Sequence, residues 1–112
     1  MVTENEKFVW TRHAAEKMRY YRLTESRIKR IIRHPARTEE GVLEGAVACM
    51  QPSGGKKYSE IWVMYLIIAN RKSQSTKCKK QIKIITAWRY PGKSPARDPI
   101  PAEILREVKS LL

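Results

Sequence analysis

The sequence predicts an α+β domain built as two N-terminal helices, an antiparallel sheet of about four strands and a closing C-terminal helix. Three observations lead there. Apolar residues recur at three- and four-residue steps between residues 11 and 34, which is helix spacing. Between residues 37 and 90 they fall in short runs and alternations divided by Gly, Ser and Pro, the mark of strands and turns. After a Pro-rich stretch, helix spacing returns over residues 102–112. A length of 112 residues fits one domain. Its core is expected over residues 8–90, with 91–101 as connector and 102–112 as the terminal helix. Strands joined by short turns pair antiparallel, which places the helices on one face.

The elements follow in order. Residues 7–10 (KFVW) are apolar and short, a first strand or an extended lead-in. Thr11 is a candidate N-cap for a helix to about Arg22. Ala14, Met18 and Tyr21 form its core stripe, and His13, Lys17 and Tyr20 line the flank beside it. Thr24 caps a second helix with Glu25 in its first turn. Ile28, Ile31 and Ile32 face inward there, Arg27, Lys29, Arg30 and Arg33 outward, and Pro35 stops it. Residues 37–43 and 45–51 read as modest strands. Residues 52–57 (PSGGKK) form a turn, and residues 58–69 carry apolar side chains on both faces, as a central strand does. Residues 70–80 are a basic loop. Residues 81–90 are a strand with Ile82, Ile84, Thr86, Trp88 and Tyr90 expected on one face and Lys83, Ile85, Ala87 and Arg89 on the other.

The chain carries 23 Lys and Arg against 11 Asp and Glu, a formal charge of +12. Its mean hydropathy is −0.54. No apolar run approaches the roughly 18–20 residues of a membrane span, and the first residues lack the form of a secretory signal. Cys49 and Cys78 are too few for a disulfide scaffold or a four-cysteine metal site, and two reduced thiols in a cytoplasmic protein are expected. Nine basic residues lie from Arg12 to Arg37 against Glu16 and Glu25, and nine more from Arg71 to Arg97 with no acid among them. Two such blocks on one small domain make a positive face that attracts polyanions, nucleic acid first, through counterion release.

The sequence has no phosphate-loop or dinucleotide glycine motif and no spacing for a metal, and no cofactor is expected. The polar residues that remain suit RNA. Cleavage by the ribose 2′-hydroxyl needs a base, an acid and cations on the developing phosphorane charge. His13, Lys17, Arg89 and Tyr90 are the candidate catalytic residues. Arg12, Tyr20, Lys77, Lys79, Lys80, Lys83 and Trp88 are the candidate nucleic-acid contacts, the cations for phosphate and the aromatic rings for unpaired bases.

The stretch WTRHAAEKM at residues 10–18, LTESRIKRIIRHP at 23–35 and IKIITAW at 82–88 resembles a family of small bacterial, phage and mobile-element domains of unknown function. That family carries a His-Ala-x-x-Arg-Met motif and looks related to BrnT and the RelE-like toxins. The resemblance places the family's histidine on His13, its methionine on Met18, its proline on Pro35 and its last strand on Ile84 to Trp88. Lys17 stands where the family has Arg, which keeps the charge and loses the bidentate fork. The resemblance implies a RelE/BrnT-like fold, a toxin-like endoribonuclease acting without metal, and an acidic antitoxin-like protein as a partner. The alternatives are a nucleic-acid-binding domain without catalysis, or a protein-interaction module of a toxin-antitoxin-like system.

Overall fold

In a computed structural model that describes residues 6–41, 45–69, 80–97 and 99–110, the chain forms a five-stranded mixed sheet and three helices. The order is β1 (Glu6–Trp10), α1 (Arg12–Tyr21), α2 (Glu25–Arg33), β2 (Arg37–Glu40), β3 (Ala46–Pro52), β4 (Ser59–Ala69), β5 (Lys80–Pro91) and α3 (Ala102–Ser110). The sheet runs β1-β5-β4-β3-β2. Strands β2 to β5 are antiparallel neighbours, whereas β1 pairs parallel to β5, with Phe8 opposite Ile82 and Trp10 opposite Ile84.

This overturns the expectation of two helices ahead of a four-stranded antiparallel sheet. A strand precedes both helices and closes the sheet from its other end. The physical reason is that β1 and β5 are joined by no turn. Their pairing spans some seventy positions and leaves no local signature, whereas antiparallel neighbours announce themselves through a hairpin.

The helix ends are set by their caps. The Thr11 side chain accepts from the Ala14 amide at 3.1 Å, and its hydroxyl donates to the Ile84 carbonyl at 2.7 Å. One residue thus starts α1 and fastens it where β1 leaves β5. Arg22 takes a left-handed conformation (φ 58°) that ends α1, and the Leu23 amide closes on the Met18 carbonyl at 2.7 Å. Thr24 accepts from the Arg27 amide at 3.1 Å to start α2. The helix ends at His34, ahead of Pro35.

Two cores lie on opposite faces of the sheet. Ala14, Met18, Ile28, Ile31 and Ile32 of α1 and α2 pack on Cys49, Ile61, Val63, Ile82, Ile84 and Ala87. Ile104 and Val108 of α3 pack on Ala48, Met50, Trp62, Met64, Ile85 and Trp88. The helices therefore cover both faces, not one. Burial pushes the Cys49 thiol up to about 12, which leaves it a packed apolar side chain.

A bulge in β5 corrects the expected alternation. Tyr65 pairs with Ile84 and Met64 with Thr86, so Ile85 has no partner on β4. The extra residue shifts the side-chain phase. Ile82, Ile84 and Ala87 face α1 and α2, while Ile85, Trp88 and Tyr90 face α3.

The 91–101 connector is anchored to the sheet at two of its described residues. Ser94 and Pro99 are buried, and both hold to the α3 face. Glu60, with no exposed surface, accepts from the Ser94 hydroxyl at 2.5 Å, the Trp62 indole at 3.0 Å and the Tyr58 hydroxyl at 2.8 Å. Arg37 lies 3.7 Å from the same carboxylate, donates to the Ser94 carbonyl at 3.0 Å and covers the Trp62 ring.

Candidate functional site

α1 runs along the free edge of β5 beyond the end of β1. Thr11 bonds the Ile84 carbonyl at one end of the helix, and the Arg89 Nε donates to the Tyr21 carbonyl at 3.1 Å at the other. One side of α1 therefore meets the α2 core, and the flank carrying His13, Lys17 and Tyr20 turns toward α3.

That flank forms a charged cluster with a residue of α3. Lys17 Nζ donates to Glu107 Oε1 at 2.8 Å and lies 2.8 Å from Oε2. His13 Nε2 lies 3.6 Å from Oε2, beyond hydrogen-bond length, and has no hydrogen-bond partner among the described residues. His13 and Lys17 are 14% and 15% exposed. With Tyr20 and Ser110 they line an open hollow of about 340 Å³. Tyr20 is 76% exposed and has the Lys17 ammonium 5.6 Å from its ring centre. Sequence spacing brings these three together. It gives no sign of Glu107, which arrives from an element some ninety residues away.

Burial works against the Lys17 charge, and the Glu107 carboxylate outweighs it, so its pKa is raised. The charged form is the one that folding favours. Its contribution is complete below the ordinary lysine value and is lost as pH rises through the raised one. Glu107→Gln is expected to lower stability by about 1–2 kcal/mol at pH 7. Denaturant unfolding should show this gap narrowing at alkaline pH as Lys17 loses its proton. A gap that widens there would remove Lys17 as the source.

The other two candidate catalytic residues lie elsewhere. Arg89 and Tyr90 are adjacent on β5 and point to opposite faces. Arg89 is on the α1–α2 side, exposed. Tyr90 packs against the α3 core. A rise of about 3.3 Å per strand residue separates Arg89 from the His13 end of α1 by roughly 13 Å. The four residues do not converge on one scissile group.

The candidate nucleic-acid contacts divide similarly. Arg12 and Tyr20 are exposed on α1. Lys83 is half-buried on the α3 side of β5, opposite Leu66. Lys80 starts β5, and Lys77 and Lys79 lie outside the described residues. Trp88 corrects the expectation of a base-stacking ring. It is fully buried, stacked 5.9 Å from Trp62, and its indole donates to the Pro99 carbonyl at 3.3 Å. The Ile85 bulge puts it there.

Helical spacing puts Arg27 and Arg30 outward on α2, within the basic block of residues 12–37, without marking either as a contact of its own. The fold sets them above the end of β5 that carries Arg89. Among the described residues every ion pair is made by His13, Lys17 or Arg37. The arginines of the α1–α2 side have none. Among the described residues no group of His, Cys, Asp and Glu is placed to hold a metal, and no helix is long and apolar enough to cross a membrane. No family model matches the chain, and no curated protein or solved structure shows significant similarity to it.

Proposed function

We propose that this domain binds nucleic acid through the arginine-bearing side of α1, α2 and the end of β5, and does so without cutting the strand. The observation that carries this reading is the uneven use of the acids. Glu39, Glu60 and Glu107 are taken up by Arg37, Lys17 and His13, while Arg19, Arg22, Arg30, Arg33 and Arg89 are exposed and have no carboxylate partner among the described residues. Unneutralised guanidinium groups on one side attract a phosphate chain, and release of its counterions drives association. Guanidinium also suits phosphate oxygens better than ammonium does.

Binding without cleavage fits the dispersal of His13, Arg89 and Tyr90. A proton-transfer residue must reach the proton that it moves, and His13 faces Glu107 across a flank that Arg89 does not share. Fluorescence anisotropy with RNA and DNA oligonucleotides tests the reading. Affinity is expected to fall about 10³-fold or more from 50 to 200 mM salt if six or more phosphates are engaged. His13→Ala should leave that affinity within about twofold. RNA cut without added metal and spared by His13→Ala would return the chain to catalysis. Affinity that ignores salt would exclude the phosphate face.

A further inference from the structure

The unpaired arginines are not spread evenly. Gln51, Ile61 and Arg89 lie in one row across β3, β4 and β5, with Ile61 in the core beneath α1 and α2. α2 crosses above this row and is tied to it. The Gln51 amide donates to the Arg30 and His34 carbonyls at 3.3 and 2.8 Å. Arg27 Nη2 donates to the Pro52 carbonyl at 2.8 Å, one position beyond the row. Arg27 and Arg30, three residues apart, share one side of the helix. Arg89 is anchored through its Nε to the Tyr21 carbonyl, and its terminal nitrogens have no partner among the described residues. Glu60, next to Ile61, points to the opposite face and is occupied there by Ser94, Trp62 and Tyr58.

Three arginines thus lie about one corner of the sheet, and none of them has a carboxylate partner among the described residues. Two are held in place by backbone carbonyls. Arg27 is the most enclosed of them: its Nε is buried and has no hydrogen-bond partner among the described residues. Burial, then the charges of Arg30 and Arg89, weaken its hold on its proton, as expected of cations crowded together without an anion.

We propose that Arg27, Arg30 and Arg89 form a fixed seat for a phosphate oxyanion, filled in the complex by one phosphodiester group of the bound strand. The inference rests on the nucleic-acid reading above and adds a register to it. The other arginines attract the strand, and this corner decides where it lies. A tetrahedral oxyanion offers several acceptor oxygens to converging forks, and its charge removes the repulsion among the three. A single carboxylate is the poorer fit, since one planar group can face only one fork squarely.

Arg-to-Lys exchange separates a fixed seat from diffuse attraction, because it keeps the charge and removes the fork. Arg30→Lys and Arg89→Lys are each expected to weaken binding of a single-stranded oligonucleotide about tenfold with the salt slope unchanged. Arg97→Lys and Arg106→Lys, exposed positions outside the arginine-bearing side of α1 and α2, should change it less than about twofold. Titration with inorganic phosphate, followed through the side-chain Nε–H resonances, should shift Arg27 and Arg89 saturably and leave Arg12 in place. Oligonucleotide binding that treats all four exchanges alike, with no selective phosphate shift, overturns the seat and leaves the broader reading standing. Saturable phosphate shifts in a chain that binds no oligonucleotide overturn the nucleic-acid reading and leave an oxyanion seat without its strand.

Discussion

Replacing Glu60 by alanine is expected to lower stability by about 3–5 kcal/mol and the melting temperature by roughly 12–25 °C. The carboxylate has no exposed surface, and everything around it is a donor. Its removal strands the buried Ser94 hydroxyl and amide and the Trp62 indole, turns the half-exposed Tyr58 hydroxyl to water, and takes from Arg37 one of its two carboxylates, leaving Glu39. Unpaired buried donors carry large costs, and the loss of one carboxylate from a partly buried ion-pair cluster adds to them. Glu60→Gln keeps an acceptor at Oε1 and the shape of the site, so about half of the loss or less is expected. Denaturant unfolding of the two variants makes the comparison. Equal losses would mean that the charge, not the hydrogen bonding, holds the 91–101 segment.

The pH dependence follows with a definite sign. Burial pushes the Glu60 carboxyl up, but the donors of Ser94, Trp62 and Tyr58 outweigh it and hold it below the ordinary carboxylate range. The Arg97 amide and the Arg37 guanidinium hold Glu39 low as well. A lowered carboxyl contributes stability above its unfolded value and loses it as pH falls through the folded one. Wild type should therefore lose stability below about pH 4, and Glu60→Gln should lose less over the same range.

What could be read from residues alone follows how local each signal is. The caps at Thr11 and Thr24 and the stop at Pro35 depend on neighbours within four positions; α1 and α2 begin at those caps, and α2 ends ahead of that proline. β1 depends on β5, far along the chain, and its four-residue apolar run could be read only as a strand or a lead-in. The apolar residues on both faces of 58–69 carried the signal for two cores. It pointed to a central strand, yet it also required a helix on each side, and α3 is that second cover. Within the candidate site the His13, Lys17 and Tyr20 flank follows from helical spacing. Glu107 does not, because nothing in sequence says which residue of α3 comes within reach of α1. The convergence of Arg27, Arg30 and Arg89 depends on strand register, which is set only when the sheet closes.

The Trp88 exchange tests the point where sequence and fold diverge most. Trp88→Ala is expected to cost about 3–5 kcal/mol. It empties a site with no solvent contact, removes the parallel partner of Trp62 at 5.9 Å and frees the Pro99 carbonyl. Trp88→Phe retains a ring and loses the indole donor, so about 1–2 kcal/mol is expected. A double-mutant cycle with Trp62 should return a coupling of about 0.5–1.5 kcal/mol, because two aromatic rings in contact do not act independently. The same Phe variant, folded at the temperature of the assay, should bind oligonucleotide as wild type does. Its ring lies beneath α3, across the sheet from the arginines. Wild-type stability together with lost nucleic-acid binding would put Trp88 on the binding surface, and with it the face on which the strand is expected to lie. The reverse pattern, stability lost and affinity kept, follows from the extra residue at Ile85. Without that bulge, period-two alternation would have carried Trp88 to the same side as Ile82 and Ile84, beneath α1 and α2.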